Sequence, residues 1–181
     1  MFKQPRRRVD ERLHIPPTMI RQNQRIERAI AGYIRARRNL IVLGQEHPEL
    51  IGGNDNIIGR IGEYYAIKFL KRRGQLPIKA LHSSTRGYDL KDTRSRVRTQ
   101  VKVISTENKS GRTVRLTEPW DQLVLILLGD SYRPLKIGLL TKKQFVTARR
   151  EHSNLSRNPY VKKTMLGING IIGKYGTIED F

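Results

Sequence analysis

The segment at residues 97–104, VRTQVKVI, constrains the fold most, because polar side chains alternate along it with mainly apolar ones. Alternation with a period of two is typical of a β-strand whose two faces differ. It places Gln100 and Lys102 together on one face. Val101 and Val103 lie on the opposite face, which we expect to pack on the core.

A hairpin is predicted immediately before this strand. Residues 87–90, GYDL, have the pattern of an extended run, and the polar stretch at 91–96 has turn composition. Pairing of the two runs would bring Asp89 close to Gln100 and Lys102.

A helix is predicted upstream, from about residue 56 to residue 73, because apolar residues recur there at three- and four-residue intervals. This helix carries Glu63. Gly59 and Gly62 are poor helix formers, so their presence near Glu63 indicates close packing against the sheet or against a substrate backbone.

The four polar side chains suit the hydrolysis of a phosphodiester, which needs a divalent cation to activate a water and to neutralise charge on the phosphate. Mg²⁺ prefers oxygen ligands. Glu63 and Asp89 supply carboxylates, and Gln100 supplies an amide oxygen. Lys102 is expected to orient the attacking water and to stabilise the developing negative charge.

The order of these residues resembles the PD-(D/E)XK nuclease superfamily, which includes restriction endonucleases and Holliday-junction resolvases. The resemblance covers roughly residues 54–145. It implies that Asp89 and Gln100 are metal ligands, that Glu63 is the helical acid and that Lys102 is the catalytic lysine. It also implies Mg²⁺ as the cofactor, with Mn²⁺ as a substitute, and the backbone carbonyl of Val101 as a further ligand.

The sequence departs from the superfamily pattern at two places. Gly87 and Tyr88 stand where the superfamily name has a proline before Asp89. Gln100 replaces the usual second acid, a form that resembles methyl-directed restriction nucleases.

The charge balance indicates a polyanionic partner. There are 36 Lys and Arg against 16 Asp and Glu, a net charge of +20, and such an excess favours nucleic acid over an anionic membrane.

The longest apolar run, Leu123–Leu128, is too short to span a bilayer. Without cysteine, disulfides and thiolate zinc sites are excluded. The N-terminal residues lack a secretory pattern, so we expect a cytoplasmic protein.

The predicted fold class is α/β, with a restriction-endonuclease-like mixed central sheet flanked by helices. This core spans residues 46–150, after a basic arm and helix at residues 1–45 and before a basic, glycine-rich segment at 151–181 that we expect to pack on the core. The N-terminal helix, capped by Thr18, is expected either to pack on the core or to form a dimer interface. The C-terminal glycines indicate either a loop-rich surface or a backbone that lets Lys162, Lys163 and Lys174 approach phosphates.

The predicted function is therefore Mg²⁺-dependent cleavage of double-stranded DNA by a homodimer, with restriction-type cleavage as the favoured form. A repair or junction-resolving nuclease, a DNA-binding protein of the same fold that does not cleave, and a basic RNA-associated protein are the alternatives. Candidate DNA contacts near the predicted site and in the N-terminal arm are Ser84, Arg86, Asn108, Arg112, Arg6, Arg7 and Arg8.

Overall fold

The structure is a computed structural model that describes residues 17–46, 57–80, 87–106, 108 and 112–181. The chain divides into two compact units, Met1–Gly52 and Gly53–Phe181. Five of the predicted DNA contacts lie outside the described residues: Arg6, Arg7, Arg8, Ser84 and Arg86.

The described part of the first unit is one long helix, α1, Pro17–Glu46. It begins at Pro17, so Thr18 lies inside its first turn rather than at the cap. Proline suits that position because its fixed φ is helical and its missing N–H would have no partner there. Packing on the core and dimerisation both stay predictions for this helix. Within the described ranges, no helix is both long enough and apolar enough to cross a membrane.

The described residues of the second unit form a mixed sheet and three α-helices. In chain order its elements are α2 (Ile57–Arg72), β1 (Pro77–Lys79), β2 (Leu90–Asp92), β3 (Arg98–Ser105), β4 (Arg112–Arg115), β5 (Gln122–Leu128), β6 (Pro134–Thr141), α3 (Lys142–Glu151), β7 (Tyr160–Lys162), a 3₁₀ helix (Lys163–Leu166), α4 (Ile171–Tyr175) and β8 (Thr177–Asp180).

The main sheet has six strands in the order β1-β2-β3-β5-β6-β8, and β4 pairs with β7 in a separate ladder. Strands β3 and β5 are parallel, with Gln100 opposite Leu123, whereas the other pairs in the main sheet are antiparallel. The predicted α/β class, mixed sheet and β2–β3 hairpin are confirmed. The C-terminal segment supplies the edge strand β8.

Two glycines let helices approach the two faces of the sheet. A Cβ on Gly62 of α2 would lie 2.0 Å from Cγ2 of Val103. The helix therefore packs on the face of β3 that carries the odd-numbered side chains, here called the odd-numbered face; the opposite face is the even-numbered face. A Cβ on Gly138 of β6 would lie 2.4 Å from Cδ2 of Leu166 and 2.8 Å from Cγ2 of Ile172. Because Gly138 pairs with Leu125, and Leu125 with Lys102, this second contact covers the even-numbered face.

The apolar core cluster lies on the face of β3 that carries its even-numbered side chains, where Ile104 joins the polar residues Gln100 and Lys102. It contains Ile104, Leu116, Trp120, Leu123, Leu125, Leu127, Leu140, Phe145, Val161, Met165, Leu166 and Ile172. The prediction that the Val101 face packs on the core is therefore incomplete. That face packs on α2, but both faces of β3 are covered, because the sheet lies between helices.

Candidate functional site

Asp89 lies where the β2–β3 ladder stops. The last paired residues are Leu90 and Thr99, and the amide of Asp89 donates to the carbonyl of Thr99 at 2.9 Å. Two residues earlier, Gly87 has φ +91°, and a Cβ there would lie 2.4 Å from the carbonyl carbon of Glu118. Only glycine meets both conditions. The Gly-x-Asp spacing therefore places Asp89 at the end of the β2–β3 ladder.

The carboxylate of Asp89 continues the ladder in place of a backbone carbonyl. Its Oδ2 accepts a hydrogen bond from the amide of Val101 at 2.7 Å. In a strand, the N–H and C=O of one residue point to the same side. The carbonyl of Val101 therefore also points toward the β2 edge of β3, next to Asp89.

Burial raises the pKa of Asp89 above its ordinary value of 3.8. The amide of Val101 and the positive charges of Lys102 and Lys79 oppose the rise, while the negative charge of Glu63 adds to it. Desolvation outweighs these attractions because the carboxylate gives up water and gains one short hydrogen bond. The positive charges near Asp89 therefore do not fully compensate its ionised carboxylate for the loss of water.

Burial lowers the pKa of Lys102 from its ordinary 10.5, and the negative charge of Asp89 partly offsets the change. Lys102 is half-buried, so its ammonium is less hydrated than that of a surface lysine. A poorly hydrated cation interacts more strongly with a nearby phosphate, because less water competes for its three N–H donors.

Glu63 approaches from the face that α2 covers. Its carboxylate lies 2.5 Å from the ammonium of Lys79 in β1, and Lys79 is paired with Leu90. Glu63 and Lys102 therefore come from opposite faces of the sheet. Asp89, at the end of the ladder between them, experiences both charges.

Gln100 is buried, with 4% of its surface exposed. Its Nε2 lies 3.5 Å from Oγ1 of Thr117, a long hydrogen bond, and within the described part of the chain its Oε1 is buried without any partner. An orphaned amide oxygen is costly in a folded protein. By register, Gln100 lies opposite Asp89, one step beyond the last ladder pair.

The donor set fits a hard divalent cation. It consists of the Asp89 carboxylate with its raised pKa, the unpartnered Oε1 of Gln100, the edge-facing carbonyl of Val101 and the nearby carboxylate of Glu63. All are oxygen ligands of the kind that Mg²⁺ and Mn²⁺ take. Over the residues that the structure describes, no group of three or more His, Asp or Glu side chains forms a metal cluster, so an amide and a backbone carbonyl would have to complete the set.

The two remaining predicted DNA contacts lie on either side of the gap at residues 109–111. Arg112 begins β4. Asn108 lines a cleft at the end of β3 rather than the Asp89 site.

Sequence reasoning missed Lys79 and Thr117. Lys79 lies in β1, and its pairing with Glu63 depends on α2 lying over β1. Thr117 follows β4 and reaches Gln100 only through the fold. Neither residue has a local pattern that marks a role in the site.

Comparison with known proteins adds no family. The chain matches no protein-family model, and no curated protein resembles it significantly.

Proposed function

We propose that this chain is a divalent-cation-dependent endonuclease of the restriction-endonuclease-like fold that hydrolyses DNA phosphodiester bonds. Restriction-type cleavage of double-stranded DNA by a homodimer is the favoured form. Asp89 carries the proposal: its carboxylate is fixed by Val101, its pKa is raised by burial, and the charges of Lys102 and Glu63 both act on it.

Asp89, Gln100 Oε1, the carbonyl of Val101 and Glu63 are the ligands that would hold Mg²⁺ or Mn²⁺. When bound, the ion supplies Lewis acidity toward water and toward the scissile phosphate. Asp89 is held ready by the Val101 amide, so little reorganisation is needed on binding. Lys102 contributes an ammonium that stabilises negative charge on the phosphate and orients the attacking water.

The charge of the chain supports DNA as the substrate. A net charge of +20 attracts a polyanion at long range, and lysine and arginine contacts to phosphates provide affinity without sequence preference. These contacts would hold a duplex while the Asp89 site acts on one phosphate.

The test is a cleavage assay on mixed plasmid and phage DNA with Mg²⁺, Mn²⁺ or EDTA. Wild-type protein is compared with Asp89→Asn, with Lys102→Met and with Lys71→Met. Lys71 is an exposed lysine at the end of α2 and controls for loss of one positive charge. Fragments that form with either metal and disappear with EDTA and with both site variants, but not with Lys71→Met, support the proposal.

Cleavage that persists in Asp89→Asn or in EDTA would contradict it. Intact DNA under all conditions, with folded protein that still shifts the DNA in a gel, would favour the second candidate, a DNA-binding protein of the same fold without cleavage. Gln100 is the observation behind that candidate, because an amide replaces the charge that a second acid would bring to the metal.

A further inference from the structure

A cleft of about 680 Å³ opens at the end of β3, apart from the Asp89 site. Its polar lining comes from three lysines, three hydroxyl side chains and one amide: Lys136, Lys162, Lys163, Ser105, Thr106, Thr164 and Asn108. Its apolar floor comes from Ile104, Leu127 and Leu166.

The cleft lies on the same face of the sheet as Lys102. Ile104 follows Lys102 by two residues, and the register places Ile104, Leu127 and Lys136 side by side across β3, β5 and β6. Two residues of an extended strand span about 7 Å. One strand of duplex DNA carries a phosphate about every 3.4 Å along its axis, so the cleft begins about two nucleotide steps from Lys102.

The cleft has an excess of positive charge. Lys136 pairs with Asp180 at 3.1 Å, whereas Lys162 and Lys163 are exposed and have no carboxylate partner within the described ranges. Two lysines beside hydroxyl groups can bind a phosphate oxygen, since each ammonium and each hydroxyl can donate a hydrogen bond to it.

Close backbone packing holds the two lysines in place. Lys162 ends β7 and Lys163 begins the 3₁₀ helix, whose Leu166 packs over Gly138 of the main sheet. A Cβ at Gly170 would lie 2.2 Å from the carbonyl oxygen of Thr164, so the chain after the 3₁₀ helix folds directly against it. The backbone that carries Lys162 and Lys163 is therefore held in place by packing.

We propose that this cleft, formed by Lys162, Lys163 and the hydroxyls of Ser105, Thr106 and Thr164, binds a backbone phosphate of the DNA strand that passes the Asp89 site. The inference rests on the proposed function for its substrate. The cleft would fix the register of the strand, so that a phosphate about two nucleotide steps away positions the scissile one.

The experiment measures binding of a fluorescent 20-bp duplex by anisotropy, in EDTA so that no cleavage occurs, over a series of KCl concentrations. Lys162→Ala/Lys163→Ala is compared with Lys143→Ala/Arg150→Ala, which removes two exposed charges from α3 outside the cleft. Each phosphate contact contributes about 0.9 to the slope of log affinity against log salt. We expect the cleft variant to lose about 1 to 2 in slope and on the order of 10-fold in affinity at low salt, and the control to lose clearly less.

Lys162→Arg/Lys163→Arg should retain the wild-type slope, and thermal unfolding shows whether each variant is folded. A slope change no larger than that of the control overturns the proposal. A second experiment titrates inorganic phosphate and follows NMR shifts of residues that line the cleft. If phosphate binds there, and binding is lost in the alanine variant while the DNA slope does not change, the proposal is also overturned, because the cleft would then bind a free anion. Failure of the proposed function would appear separately, as intact DNA with wild-type protein and either metal.

Discussion

The ammonium of Lys79 lies 2.5 Å from a carboxylate oxygen of Glu63, so a fixed positive charge already neutralises one of the two acids of the candidate site. A divalent cation must share Glu63 with this lysine. It must also approach against the positive charge of Lys79, which acts on Asp89 as well.

Replacing Lys79 with methionine should therefore lower the concentration of Mg²⁺ needed for half-maximal cleavage. About half of the Lys79 side chain is exposed, so the charge is lost with little loss of packing. Titration of cleavage with Mg²⁺, and calorimetric titration with Mn²⁺, measure the change, with Lys71→Met as the matched loss of charge. An unchanged or higher metal requirement would show that Lys79 does not compete with the metal.

Asp89→Asn should abolish cleavage yet stabilise the metal-free protein. The raised pKa means that the folded chain binds a proton more readily than the unfolded chain, so ionisation of Asp89 costs stability progressively as pH rises above 3.8 and through the folded pKa. Asparagine removes the charge and keeps an oxygen for the Val101 amide. We expect a higher Tm in EDTA at pH 7 and a loss of activity of about 100-fold or more.

Thermal unfolding in EDTA and cleavage in Mg²⁺ measure the two effects on one preparation. A lower Tm for Asp89→Asn would mean that the carboxylate has a structural role. Equal activity would remove Asp89 from the mechanism.

Asp92 should dominate the acid sensitivity of the β2–β3 turn. Its buried carboxylate accepts hydrogen bonds from the amides of Leu76, Arg94 and Ser95 and from the hydroxyl of Ser95. The hydrogen bonds with Ser95 lead the causes that lower the pKa of Asp92 to about 2 from 3.8. Asp92→Ala should cost on the order of 2–3 kcal/mol at pH 7, because four hydrogen bonds to a charged acceptor are lost.

The stabilisation by Asp92 has a defined pH range. Because the folded pKa is depressed, the contribution is complete above pH 3.8 and is lost as pH falls toward 2. Denaturant unfolding of wild-type and Asp92→Ala protein from pH 7 to pH 2 should give a difference in unfolding free energy that shrinks only below about pH 4. A difference that is constant with pH would assign the effect to packing.

Gly62→Ala should destabilise the second unit although alanine favours helices. The added Cβ would overlap the side chain of Val103, and overpacking of this kind costs about 1–3 kcal/mol. Val103→Ala in the same chain should recover part of the loss, because the overlapping methyl group is gone.

Gly32 provides the control for this substitution. It is a helical glycine in α1, and among the described residues nothing lies within 4 Å of a Cβ built there. Gly32→Ala should leave Tm unchanged or raise it, since alanine stabilises a helix interior by about 1 kcal/mol. Chemical denaturation followed by circular dichroism separates the two cases, and an equal loss in both variants would rule out the Val103 contact as the cause.

The sequence was sufficient to predict the strand that carries Gln100 and Lys102, the hairpin that carries Asp89, and the close approach at Gly62. Each prediction depends on a pattern within a few neighbouring residues. The capping box of α3, in which Thr141 and Gln144 bond each other's backbone, is equally local, because its two residues are three positions apart. Local periodicity and turn chemistry control these features.

Features that depend on distant residues were not visible in the sequence. The glycine-rich C-terminal segment contributes β8 to the main sheet through pairing with β6. Likewise, Glu63 approaches β3 from one face of the sheet, whereas Lys102 lies on the other face. This arrangement follows only from where α2 and α4 pack. Such features arise from the assembled sheet, because burial and long-range pairing override local composition.

The strand order has a consequence for the kinetics of folding. Strands β1 to β3 and strands β5 and β6 are neighbours both in the chain and in the sheet, so their antiparallel pairings close short loops. The parallel β3–β5 pairing and the late arrival of β8 require longer closures, which are slower to form. We therefore expect the Asp89 hairpin to gain hydrogen-exchange protection before β8 does during refolding, so that the hairpin that carries Asp89 forms before β8 completes the edge of the sheet.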